Sequence, residues 1–425
     1  MFRYLRLVGT SLTADFVPYW FVGPVGMSIS SVILFAFPYE SEWLRICSYV
    51  AFCITALSFI SVVVLAICNC WQVCRRHSGK AYFDKYFRND GVGAFWAFSQ
   101  MAWGTLVSFV GHVCVTYGPP GCMIFVYVLW WIDIVLSLLV AWGLIFLVWS
   151  DHYGGDSELQ LHRDFMRKKI QPVLILPVVP CLVATSAGGV FMMSGPFVEI
   201  FDRRGQLLTL FVSLLVWLHA ICLVFLITGS CVWSFYVNKF PRKNSAFTMF
   251  LLVGPMGQGS FGVQLLAQNF GTFITRTPMT ARGGSATEEV LRIAVKTSIA
   301  VNGAITGLFL IDAGFFFTAM SVAAVLRRFG DEGGAHIITR FHKGWWALPF
   351  PLGTMSLATT EFYRQHNDIL HVGAFQVIGA VYGLLSVASA IVCFCFTLVA
   401  FFRNLAASTR VTNGTKKRPD GRRAS

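Results

Sequence analysis

Five times along the 425-residue chain, a hydrophobic segment interrupted by glycine, proline and small polar residues precedes a longer, uninterrupted one. The interrupted segments cover 17–36, 93–117, 171–194, 247–273 and 345–361, and the uninterrupted ones 43–74, 121–150, 206–238, 290–328 and 370–403. Of 15 prolines, eight fall in the first set and none in the second. The interruptions are marked by Gly23 and Pro24, Pro177 and Pro180, Gly254 and Pro255, and Pro349 and Pro351. Hydrocarbon tolerates irregular backbone only where protein buries it or water lines it. The interrupted helices are therefore expected inside, lining a conduit, and the uninterrupted ones outside, against lipid.

Charged residues make up 12% of the chain, about half of what a soluble domain carries. A crossing helix needs ~20 apolar residues, and the chain offers ten such stretches on short links. The expected fold is an all-α polytopic membrane protein of ten transmembrane helices in five helical hairpins. A short cytoplasmic N-terminus (1–16) precedes a membrane domain (17–403), and a basic, disordered tail follows (404–425). Residues 1–15 lack the apolar run of a cleavable leader. Of the 33 lysines and arginines, 25 fall on the side of the N-terminus, seven opposite, and Lys296 within the eighth segment. That asymmetry places both termini in the cytoplasm. It also explains the net charge of +13 as topology and attraction to membrane lipid, so nucleic acid is not an expected partner. The twelve cysteines form no metal-ligand spacing, and neither metal nor cofactor is expected.

Each interrupted segment connects to the next uninterrupted one through an outer turn, so five equivalent hairpins can close into a ring around an axis. From Ala286 to Arg328 the helical pattern runs for 43 residues, ~65 Å at 1.5 Å per residue. This helix must project from the membrane, tilt or break.

The inner segments carry hydroxyls and amides but almost no full charge. Ser28, Gln100, Thr185, Ser186, Gln258, Ser260 and Thr354 are the candidates for lining the conduit and touching its solute. Free N–H groups at helix starts favour an anion, and a cation path would want inward carboxylates, which are missing until Glu361. Two acids, Asp133 and Asp312, stand in outer segments, where an ionisable residue is a candidate for proton coupling or a hydrogen-bonded structural acid. Phe350 lies between two prolines in the middle of an inner segment, placed to close a narrow pore by steric block and dewetting.

Four separated stretches resemble the tellurite-resistance/dicarboxylate transporter family, which includes plant slow anion channels, a yeast malic acid permease and fungal sulphite efflux pumps. They are Phe37-Pro38-Tyr39 with Leu44 to Tyr49, Gly93 to Trp96, Gly254 to Ser260, and Trp345 to Leu357. The likeness is nearest to the sulphite pumps and spans nearly the whole membrane domain. It implies odd-numbered helices around a central pore, even-numbered helices outside, and a homotrimer with a pore in each protomer. It also implies a gating phenylalanine at Phe350 and efflux of sulphite or bisulphite across a fungal plasma membrane, without covalent chemistry on the solute. A passive anion channel or a malate carrier of the same fold is the alternative.

Overall fold

The computed structural model describes residues 13–89, 92–150, 170–239, 243–276, 285–329 and 341–415. Five times a 3₁₀ segment of four to ten residues precedes an α-helix, which is followed by a longer one. In the first unit the turn Pro18–Phe21 enters α1 (Val22–Phe35), followed by α2 (Glu42–Arg76) and the short α3 (Gly79–Tyr86). In the second, Gly93–Trp96 enters α4 (Ala97–Tyr117), followed by α5 (Pro120–Ser150). In the third, Pro172–Ile175 leads to α6 (Val179–Phe191), the short α7 (Gly195–Ile200) and α8 (Arg203–Asn238). The fourth has Lys243–Leu252, α9 (Val253–Arg276) and α10 (Ser285–Phe329). The fifth has Lys343–Ala347, α11 (Pro349–Leu370) and α12 (Gly373–Thr415).

Burial divides the helices as the interruptions suggest. In the most apolar windows, 72%, 67% and 89% of residues are buried in the α1, α4 and α9 units, against 17–39% for α2, α5, α8, α10 and α12. All of α6 except Val190, and α11 from Pro349 to Phe362, are buried too. The five inner helices touch in the cyclic order α1, α4, α6, α9, α11 and back to α1. Among the described residues, eight helices are long and apolar enough to cross a membrane unaided. α6, with 13 residues, and α11, with a polar second half, are not among them. The chain is an all-α polytopic membrane protein.

The interruptions lie elsewhere than the sequence suggests. Pro24, Pro180, Pro255, Pro349 and Pro351 all sit within the first three residues of their α-helices; Pro18 and Pro172 open 3₁₀ turns, and Pro177 lies between a turn and α6. The first four N–H groups of a helix have no partner within it, so proline there removes no hydrogen bond. Phe350 is accordingly in the first turn of α11, not in mid-helix, and Leu352 N–H closes that turn on Leu348 O at 3.2 Å. α10 is one continuous helix of 45 residues, about 68 Å long, so it projects or tilts and does not break. α12 continues to Thr415, past the boundary expected at 403, because no glycine or proline intervenes before Gly414. Residues 1–12 and 416–425 lie outside the described residues.

Close packing of the inner ring depends on small residues. A Cβ on Gly257 of α9 would lie 2.6 Å from the backbone of Thr354 and Met355 in α11. Small residues at such crossings let helices associate where no hydrophobic drive exists. Around the ring, Ser356 Oγ donates to Gly379 O of α12 at 2.7 Å, and Ser260 Oγ to Gly307 O of α10 at 2.8 Å. Gln376 Nε2 of α12 donates to Pro38 O at 3.0 Å, tying the last helix to the first hairpin turn. Gly257→Ala is expected to lower stability in detergent by about 2 kcal/mol, since backbone must move. Gly229→Ala, on exposed α8 with nothing within 4 Å, should leave it unchanged or raise it by about 0.5–1 kcal/mol. Thermal unfolding of the two variants checks the contrast.

Candidate functional site

Where the five turns converge, every inner helix contributes side chains to one small axial cavity. Val22 and Val25 come from α1, Phe98 and Met101 from α4, and Leu176 and Val179 from the entry to α6. Leu251, Gly254 and Pro255 come from the entry to α9, and Trp346, Phe350 and Pro351 from the entry to α11. The cavity measures about 10 Å³, barely the room for one water. Its wall is apolar throughout. A closed apolar neck of this kind blocks ions both sterically and by dewetting.

The 3₁₀-to-α junction aims these side chains. Phe350 stands at the second position of α11 and is 5% exposed. Its ring faces Gly254, where an added Cβ would rest 3.8 Å away. Trp346, in the preceding turn, fills the space beside Gly26, where a Cβ would come within 2.8 Å of the indole. The Trp346 Nε1–H donates to Thr397 Oγ1 of α12 at 3.1 Å, anchoring the turn to an outer helix. Gly254 and Gly26 thus make room for two rings at the neck.

The polar residues singled out in the sequence are not at the neck. Ser28, Thr185 and Thr354 donate to carbonyls one turn back in their own helices, Val25 O, Leu182 O and Pro351 O, at 2.8–2.9 Å. This local bond is what a helical hydroxyl makes when no other partner is in reach. Ser260 turns outward to α10. Gln100 lines a different cavity, between α2, α4 and α5. Ser186 and Gln258 join two inner helices, the Ser186 Oγ accepting from Gln258 Nε2 of α9. Past the neck, toward the hairpin turns, Gln258 Oε1, Gln264 Oε1, Thr360 Oγ1 and His112 Nε2 are buried on inner helices without a protein partner. Buried polar atoms are normally satisfied; two of these residues lie against outer helices, since a Cβ on Gly379 of α12 would come within 2.5 Å of Thr360 Oγ1 and one on Gly307 of α10 within 3.0 Å of Gln264. Farther along α11 the Glu361 carboxylate accepts from Gln365 Nε2 at 2.7 Å and pairs with Arg364 at 3.4 Å.

The two intramembrane acids separate cleanly. Asp133 of α5 is fully buried against α4 and α6; Ser137 Oγ donates to its Oδ1 at 3.3 Å, and Oδ2 has no partner. Gly104 of α4 leaves the space, since a Cβ there would lie 2.6 Å from Oδ2 and 2.9 Å from Val183. Asp312 is exposed on the outward face of α10. The structure brings Asp133, and not Asp312, into contact with inner helices. Sequence reasoning passed over the apolar neck residues Val22, Val25, Phe98, Met101, Val179 and Leu251. Nothing in their type distinguishes them from lipid-facing residues. Their one signal is a place just after each proline- or glycine-marked turn.

A ring of buried helices within a lipid-facing shell, closed by an apolar neck, defines a polytopic protein of the transporter and channel class. The voltage-dependent anion channel (SLAC1) family model matches residues 15–398, and the chain belongs to that family. It is 37% identical to "Sulfite efflux pump SSU1" of Saccharomyces cerevisiae over 96% of this chain and 93% of that protein. It is also 27% identical to the protein of that name in Candida albicans, over 98% and 80%. For that of Arthroderma otae the identity is 22%, over 91% and 90%.

The contact between Gly104 and Asp133 gives a double-mutant test. Gly104→Ala should destabilise the protein by about 2 kcal/mol through overpacking. Adding Asp133→Ala should recover part of that loss as a coupling of at least about 0.5 kcal/mol. Additive effects in thermal unfolding would show that the two sites are not in contact.

Proposed function

We propose that this chain carries sulphite or bisulphite outward across the plasma membrane, through a pore along the axis of each protomer of a homotrimer. Ten helices cross the membrane and both termini are cytoplasmic. The observation that carries this reading is the apolar neck to which all five inner helices contribute, with Phe350 in its wall. Membership of an anion channel family and the names of the relatives supply the solute. The neck lies at the ends of the inner helices that adjoin the basic links, hence on the cytoplasmic side. In this reading the solute enters there and passes Phe350 when its ring swings from Gly254. Ser28, Thr185, Ser186, Ser260 and Thr354 reach it only by giving up the bonds they now make.

Association of protomers is supported by Asp312, exposed on α10. A carboxylate facing lipid at mid-helix costs ~2.5–3.5 kcal/mol, which a neighbouring protomer over that face of α10 relieves. Asp133 is the better placed acid for a coupled proton, because its Oδ2 is free and it abuts α4 and α6.

Cells carrying the protein should grow on sulphite concentrations that arrest cells lacking it; equal sensitivity would sink the proposal. In liposomes, Phe350→Ala is expected to raise sulphite flux by about tenfold, the effect of removing ~1.4 kcal/mol of barrier. Unchanged flux in a folded variant removes Phe350 from the gate. Flux should respond to an imposed pH gradient, and Asp133→Asn should abolish that response while Asp312→Asn keeps it. Large chloride or nitrate currents indifferent to the gradient would favour a passive channel.

A further inference from the structure

The second cavity lies on the opposite side of the turns that form the neck. It measures about 380 Å³ and is walled by Phe21, Phe59, Tyr82, Trp96 and Trp103, with Gln100 among them. It exists because α2 leans on α1 and α3 and barely meets α4, leaving a gap between α2 and α5 that exposes α4. Ile67 of α2 and Ile132 and Leu136 of α5 form its rim, and they are 63%, 43% and 37% exposed in membrane-crossing helices. The cavity therefore opens onto the bilayer. Tyr82 of α3 closes the end nearest the basic links. Phe59 and Cys70 bound it along α2, eleven residues apart, or ~16 Å of helix.

Its chemistry is specific. Five aromatic side chains offer flat apolar surface, and polarity comes from the Gln100 amide together with Ser99, Cys70 and the Tyr82 hydroxyl. Gln100 Nε2 donates only to Ser99 Oγ, at 3.3 Å, and its buried Oε1 has no donor. Gln100 lies one turn, ~6 Å, deeper than Trp96, and tryptophan marks the membrane interface. A flat, rigid apolar molecule with one hydroxyl just below that interface matches this arrangement. An acyl chain has no donor for Gln100.

We infer that this cavity is a binding site for a sterol-class lipid entering from the leaflet next to the basic links, its hydroxyl donating to Gln100 and its ring system lying along Phe59 and Trp103. The site backs directly onto the neck: Phe21 faces the lipid and Val22 the axis, and Gln100 and Met101 divide in the same way. One thickness of backbone separates the two.

The test uses the full chain in phosphatidylcholine nanodiscs containing photoreactive cholesterol, with labelled peptides identified by mass spectrometry. Label is expected on the segments holding Gln100 and Phe59, and unlabelled cholesterol should compete it away. Gln100→Leu should reduce labelling about fivefold, the effect of one hydrogen bond. Ala66→Phe, which fills the cavity, should abolish it. Leu136→Trp narrows the mouth from an exposed position that no fold depends on and should also abolish it, so misfolding of the first variant leaves the test intact. Labelling that persists in folded Leu136→Trp protein overturns the proposal. So does a photoreactive acyl-chain phospholipid that labels the same peptides and resists competition by cholesterol. Disulfide cross-linking between protomers through Ile67→Cys and Leu136→Cys would assign the groove to a second copy and overturn it equally.

Discussion

The constraint on which the rest of this structure depends is that hydrocarbon supplies no hydrogen-bond partner to a polypeptide backbone. Five proline- or glycine-marked segments must then be wrapped in protein, and five smooth helices do the wrapping. The ring follows from the wrapping. Once five turns of irregular backbone are buried at the same level, their side chains meet at one point on the axis. The neck is formed by the part of the chain least able to face lipid.

The closure is apolar, and that decides how it can work. Water in a neck of ~10 Å³ has no polar wall to bond to, so on the proposed axial route the barrier to an anion is the combined cost of ring displacement and wetting. Beyond the neck, Gln258 Oε1 and Gln264 Oε1 of α9 are buried without partners. Gly254 and Gly26 make the neck possible, because each lets an aromatic ring pack against bare backbone.

Much of this was legible in the sequence. The alternation of interrupted and smooth segments revealed which helices would be buried, since the penalty for irregular backbone in lipid is large and independent of detail. The exact place of each interruption was not legible, because proline fits a first turn as readily as it kinks a helix interior, and Phe350 moved from mid-helix to helix start on that account. The polar candidates misled for a different reason: Ser28, Thr185 and Thr354 satisfy themselves on their own helices, so a hydroxyl on an inner helix need not face the axis. The acids could have been separated by phase. Asp133 shares the buried stripe of Val126, Trp130, Ser137 and Ala141, whereas Asp312 lies about 140° around the helix from Gly307, on the far side from the Gly303, Gly307 and Gly314 stripe.

The central claim is that anions pass the neck along the axis. Its most direct test is sulphite flux in liposomes after a membrane-impermeant, charged thiol reagent has reacted with Val25→Cys protein, compared with unsubstituted protein treated identically. A charged adduct among five converging helices should stop flux in the variant and leave the unsubstituted protein active, with sulphite slowing the reaction at that cysteine. Undiminished flux from protein fully modified at position 25 would mean that the anion travels by another route.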